Sequence, residues 1–202
     1  MVDFDKQRML AKNRVRRRGI YLLPNLFTTG ALFSGFYAIV AAMNGLFETA
    51  AIAIFISMIF DGLDGRVARM TNTQSEFGAQ YDSLSDCISF GVAPALVAYA
   101  WSLSTLGKVG WMVAFVYAAC AALRLARFNV QIETADKRYF TGLPSPSAAA
   151  VVAGMVWLGT SLEIEGGTAM VSVMAAIITA FAAVMMVSNV RYNSFKELDV
   201  KG

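Results

Sequence analysis

The sequence predicts an all-α integral membrane protein of six transmembrane helices preceded by a basic interfacial segment. Three observations carry this prediction. Of the 202 residues, 57% are apolar and only 15% charged, a balance unlike that of an ordinary soluble domain. The apolar residues gather into stretches at about 22–43, 49–60, 88–103, 109–123, 146–162 and 168–188, several long enough to cross a hydrocarbon core of roughly 30 Å as helices. The basic residues then fall almost entirely on one side of the resulting six-span topology.

The first element, residues 1–21, holds seven basic side chains: Lys6, Arg8, Lys12, Arg14, Arg16, Arg17 and Arg18. Mixed with Phe4, Met9, Leu10 and Val15, they read as an interfacial segment held by anionic headgroups, and equally as a solvated tail that sets topology. The apolar run from Leu22 is long for a secretory signal and is interrupted by Asn25, Thr28 and Thr29, so the segment is expected to be retained. The membrane domain follows as residues 22–190. Within it, Thr49–Phe60 and Ile88–Leu103 would reach only about 18 and 24 Å as helices, so both spans must borrow the acidic stretch between them. The second span is expected to end near Met70 and the third to begin near Phe77, bringing their acidic ends together across a short turn. Gly142, Leu143, Pro144, Ser145, Pro146 and Ser147 form a turn by their chemistry and start the fifth span. After the sixth span, residues 191–202 read as a solvated tail.

Orientation follows from charge. Arg66, Arg69, Arg124, Arg127, Lys137, Arg138, Arg191, Lys196 and Lys201 share the side of the amino-terminal cluster, whereas Lys108 lies opposite with Glu48, Glu163 and Glu165. The positive-inside rule therefore puts both termini and the acidic turn at the cytoplasm.

The chemistry is limited by what the chain lacks. It has no histidine, which removes histidine-based nucleophilic triads, H-E-x-x-H zinc sites and imidazole ligation of haem or copper. Cys87 and Cys120 stand singly in predicted helices and read as small buried apolar residues. No nucleic-acid partner is expected.

The stretch DGLDGRVARMTNTQSEFGAQYDSLSD, residues 61–86, is the exception in this apolar chain. An ionised side chain at bilayer depth costs several kcal/mol and persists only when paired, metal-bound or facing a polar cavity. On a helix, Asp61, Asp64, Gly65 and Ala68 share one face, and Gly78, Asp82 and Asp86 share another. Four carboxylates brought together repel one another, and hard divalent cations relieve that repulsion by accepting carboxylate oxygens. A site for two divalent cations, Mg²⁺ or Mn²⁺, is the economical reading. Small residues at Gly62, Gly65, Ala68 and Gly78 leave room for a polar ligand near the backbone, and Arg69 is placed to hold a phosphate oxygen. Together these features suggest a nucleotide diphosphate. Any one of them alone has a structural explanation, since Gly and Ala occur wherever membrane helices pack and a single intramembrane Asp can be hydrogen-bonded structure.

The arrangement Asp61-x-x-Asp64-Gly65-x-x-Ala68-Arg69, eight residues, Gly78-x-x-x-Asp82-x-x-x-Asp86 resembles the signature of the CDP-alcohol phosphotransferase family at every fixed position. The six-span topology agrees along most of the chain. The resemblance implies the family's fold, a homodimer, and a cytosol-facing cavity that binds CDP-diacylglycerol and transfers its phosphatidyl group from CMP to an alcohol. It further implies that Asp61, Asp64, Asp82 and Asp86 are metal ligands, with Asp86 also placed as the general base. Gly65, Ala68, Arg69 and Gly78 correspond to the nucleotide and pyrophosphate cradle, with Asp64 at its edge. Pro24, Asn25 and Thr28 resemble the family's Pro-Asn with a following Thr, so Asn25 and Thr28 are expected at the nucleotide or phosphates. Pro24 also sits where a helix start tolerates it.

Softer similarities point to the acceptor. YDSLSDCISFGVAPA (81–95), ALRLARFN (122–129) and FTGLPSPSAA (140–149) resemble the integral-membrane phosphatidylserine synthase branch of the family, whose acceptor is L-serine. A serine carboxylate wants a cation, and Arg124 and Arg127, at i and i+3 near the cytosolic end of the fourth span, are candidates, with Ser145 and Ser147 as further lining. The arginines read equally as positive-inside anchors, and the serines as helix caps. Two alternatives stay open: the same chemistry with glycerol 3-phosphate or an inositol phosphate as acceptor, and a cation transporter. Against the transporter, spans five and six carry no acidic or broken pair of the kind an inverted repeat would supply.

Overall fold

The computed structural model describes residues 2–71, 73, 75–132, 139–188 and 191–193, with side chains described at 23–71, 73, 75–130 and 142–188. Lys137, Arg138, Lys196 and Lys201 lie outside the described residues. Six helical rods correspond to the six expected crossings. The first is α1 (Val2–Met43) and the second α2 (Phe47–Thr71). The third joins α3 (Glu76–Asp86), a π-helical segment (Cys87–Val92) and α4 (Ala93–Trp101) end to end. A short 3₁₀ turn (Leu103–Leu106) leads to α5 (Lys108–Ile132), and α6 (Ser145–Ser161) and α7 (Ala169–Val187) complete the bundle.

Leu23–Met43, Glu76–Trp101, Lys108–Val130 and Ala169–Val187 are each long and apolar enough to cross a membrane. The other two rods depart for visible reasons. α2 carries Asp61, Asp64, Arg66 and Arg69 in its last turns, and α6 has only 17 residues. As the span lengths required, α2 continues through the first pair of aspartates and α3 begins before the second pair.

One expectation is corrected. Pro24 was expected at a helix start, but α1 runs unbroken through it and through the basic segment before it, for 42 residues in all. Proline inside a membrane helix is tolerated where hydroxyls, waters and neighbouring helices take up the freed backbone groups. At the start of the tail, β2 (Arg191–Asn193) pairs antiparallel with β1 (Tyr139–Thr141), with Phe140 opposite Tyr192.

The core is built from small side chains, which let membrane helices approach closely where no hydrophobic force separates helix from lipid. Ala38, Ala41 and Ala42 of α1, Ala50, Ala51, Ala53 and Ile54 of α2, and Ala148, Ala149, Val152 and Ala153 of α6 are buried in one cluster with Phe90 and Val97. Three serines stitch the site-bearing helices to α1. Ser57 of α2 and Ser89 of the π segment both donate to the Ala31 carbonyl, at 2.8 and 3.1 Å, and Ser85 of α3 donates to the Thr28 carbonyl at 3.2 Å. At Gly35 the helices meet so tightly that a Cβ would stand 2.6 to 2.9 Å from Ser89 atoms. The wide π turn sends the Phe90 carbonyl toward α5, where buried Tyr117 donates its hydroxyl to it at 3.2 Å.

Candidate active site

The acidic ends of α2 and α3 face each other, as their helical spacing requires. Asp61, Asp64 and Asp82 each offer a carboxylate oxygen to one group of atoms lying within 4.8 Å of one another. Asp64 is buried and the other two half-buried. Its Oδ2 lies 2.8 Å from the Thr28 hydroxyl of α1, so three helices meet at this carboxylate. Asp64 and Asp82, and likewise Asp61 and Asp86, lie within electrostatic reach of each other, and carboxylates so placed repel unless a proton or a cation relieves them. Asp82 Oδ1 is buried with no hydrogen-bond partner. Converging hard oxygens, one of them unsatisfied, fit a divalent cation. Asp86 stands outside the three-carboxylate group, immediately before the π segment and within electrostatic reach of Asp61.

Beside the carboxylates opens a cavity of about 450 Å³. Asn25 and Thr28 of α1, Asp64, Gly65, Ala68 and Arg69 of α2, and Gly78 and Asp82 of α3 all line it. A Cβ on Gly78 would stand 3.1 Å from Ser75 Oγ and 3.5 Å from Asn25 Oδ1, so the missing side chain lets α1 and the α3 cap close the wall. Gly65 has open space where a Cβ would be. The cavity thus has an acidic wall, an arginine, and a floor of small residues where a ligand can reach the backbone.

Thr73, Ser75 and Phe128 also line the cavity and were not among the expected residues. Ser75 had a local signal, a hydroxyl just before a helix, and its Oγ accepts from the Gly78 N–H at 3.0 Å. Phe128 had none, because nothing in α5 alone distinguishes an aromatic that faces a cavity from one that faces lipid.

The expected acceptor residues divide. Arg124 Nη1 donates to Ser145 Oγ at 2.7 Å, its Nε is buried without a partner, and its charge acts on Asp86. Ser145 is fully buried at the start of α6. Arg127, one turn on, is exposed and directs Nη1 toward the Val187 carbonyl at 3.5 Å. Arg124 and Ser145 therefore meet within electrostatic reach of Asp86, while Arg127 turns to the end of α7.

Comparison with known proteins identifies the family. Residues 21–190 match the family described as CDP-alcohol phosphatidyltransferase. Over 180 residues the chain is 42% identical to the CDP-diacylglycerol–serine O-phosphatidyltransferase of Helicobacter pylori, covering 89% of this chain and 75% of that one. The enzyme of the same name from Saccharomyces cerevisiae is 41% identical over 139 residues, 62% of this chain and 50% of the relative. An archaetidylserine synthase of Methanothermobacter thermautotrophicus is 36% identical over 172 residues, 84% and 69% respectively.

Proposed function

The chain belongs to the CDP-alcohol phosphatidyltransferase family, and from that premise we propose that it is a phosphatidylserine synthase, transferring the phosphatidyl group of CDP-diacylglycerol to the hydroxyl of L-serine and releasing CMP. The observation that carries the reading is the convergence of Asp61, Asp64 and Asp82, two of which, Asp64 and Asp82, line a cavity together with Gly65, Ala68, Arg69 and Gly78.

Asp61, Asp64 and Asp82 would hold two divalent cations, Mg²⁺ or Mn²⁺. Bound there, the cations supply neutralisation of the diphosphate and of the charge that grows on departing CMP. The protein's own part is placement. Thr28 fixes the Asp64 carboxylate, Arg69 pairs with a phosphate oxygen, and Asn25 reaches the nucleotide across Gly78. Asp86 accepts the proton of the serine hydroxyl as that oxygen attacks phosphorus and the bond to CMP breaks. Arg124, with an unpaired Nε beside Asp86, holds the serine carboxylate, and Ser145 orients the guanidinium. The chain has no histidine, which favours direct in-line displacement over a covalent route.

Arg66 and Arg69 close α2 and Arg124 and Arg127 close α5, whereas Lys108 opens α5 at the opposite end. That distribution supports a site and two termini at the cytoplasm. The homodimer implied by the resemblance belongs to the same proposal. Labelled L-serine tests the function: label should enter a chloroform-soluble product only when CDP-diacylglycerol and a divalent cation are both present, and label left wholly in water overturns the assignment.

A further inference from the structure

The turn that opens α6 sits on the carbonyl end of α7. A helix leaves its last carbonyls without intrahelical donors, and Leu143 donates its N–H to the Met185 carbonyl at 2.9 Å. Gly142 is buried with φ +82°, and a Cβ there would overlap the Met186 carbonyl oxygen and stand 3.2 Å from that of Ser188. Only glycine meets both demands without strain. Arg127 reaches the Val187 carbonyl, and the pairing of β1 with β2 continues the contact on either side. Two residues beyond Leu143, Ser145 accepts the hydrogen bond from Arg124.

We infer that the end of α7 is a seat for the 142–145 turn and that Gly142 is a positioning residue, which sets Ser145 and through it the Arg124 guanidinium against Asp86, and so governs how tightly the acceptor alcohol is held. The inference rests on the proposed role of Arg124 and Ser145 in the acceptor pocket. Neither Gly142, Leu143 nor the α7 end lines the cavity assigned to the lipid nucleotide, so the seat acts on one substrate and not the other.

The test is steady-state kinetics of the full-length enzyme, varying L-serine and CDP-diacylglycerol in turn, for Gly142→Ala, Tyr192→Pro and Arg124→Lys. Gly142→Ala should raise the KM for serine about tenfold while leaving that for CDP-diacylglycerol within about twofold, the pattern of a lost acceptor interaction. Tyr192→Pro, at the centre of the strand pairing and outside the turn, should shift it the same way by less. If Arg124→Lys raises the serine KM and neither other variant does, the seat is merely structural and the inference is overturned with the pocket intact. Should Arg124→Lys leave the serine KM unchanged, the pocket itself is wrong and the inference falls with it. Parallel rises in both KM values, or a fall in kcat alone, also overturn it. Where Gly142→Ala yields no monodisperse protein, Tyr192→Pro decides by the same readout.

Discussion

Thr28, in the first membrane helix, holds its hydroxyl 2.8 Å from the Oδ2 of Asp64, in the second. The contact ties the orientation of a cavity-lining carboxylate to α1, and the same hydroxyl lies 3.1 Å from the Pro24 carbonyl. Outer partners of this kind typically alter metal affinity about 10–100-fold when removed. Thr28→Val should raise the Mg²⁺ or Mn²⁺ concentration for half-maximal activity by about tenfold, with activity recovered at high metal. A metal titration of the variant checks this, and an unchanged midpoint removes Thr28 from the site.

Asp82 Oδ1 is buried without a partner, so its carboxylate has capacity that the protein leaves unused. Chelation should abolish transfer, Mg²⁺ or Mn²⁺ should restore it, and Asp82→Asn should not recover at any metal concentration. Activity assays with and without chelator are sufficient. Full activity of Asp82→Asn at ordinary metal would move the cation elsewhere.

Asp86 lies outside the three-carboxylate group and within electrostatic reach of Asp61. Asp86→Asn should lower kcat by about 10²–10⁴-fold, the usual worth of a positioned base, while metal-dependent CDP-diacylglycerol binding remains measurable. Binding lost in proportion to activity would make Asp86 an essential ligand instead of the base.

Gly35 faces the Ser89 backbone so closely that a Cβ would lie 2.7 Å from Ser89 Cα. Gly35→Ala should therefore destabilise the bundle by about 1–3 kcal/mol, as overpacking does. Thermal unfolding in detergent should show the loss, with KM values unchanged in whatever fraction folds.

The site was legible in the sequence to the extent that charge is conspicuous among apolar residues. Asp61, Asp64, Asp82 and Asp86 announced themselves because carboxylates at membrane depth need a reason, and their helical spacing gave the two faces. Contacts made across the chain left no local sign. Thr28 and Asp64 are joined over 36 residues, and Ser57, Ser85 and Ser89 read as incidental hydroxyls until their acceptors on α1 are seen. The π segment after Asp86 has no composition of its own. Phe128 resembles any lipid-facing aromatic, and the pairing of β1 with β2 depends on two short segments too brief to show a period. Pro24 misled, because its preference for helix starts is weaker than the support that a membrane bundle gives to an interrupted helix.

The most direct measurement is CMP release from CDP-diacylglycerol by the purified protein with Mg²⁺ or Mn²⁺, in the presence of L-serine, glycerol 3-phosphate, an inositol phosphate or no acceptor. Release that depends on L-serine is the predicted result. Release that depends on another acceptor would keep the aspartate chemistry and contradict the serine assignment, and no release with any acceptor, from protein shown to be folded, would contradict the transferase reading of the site.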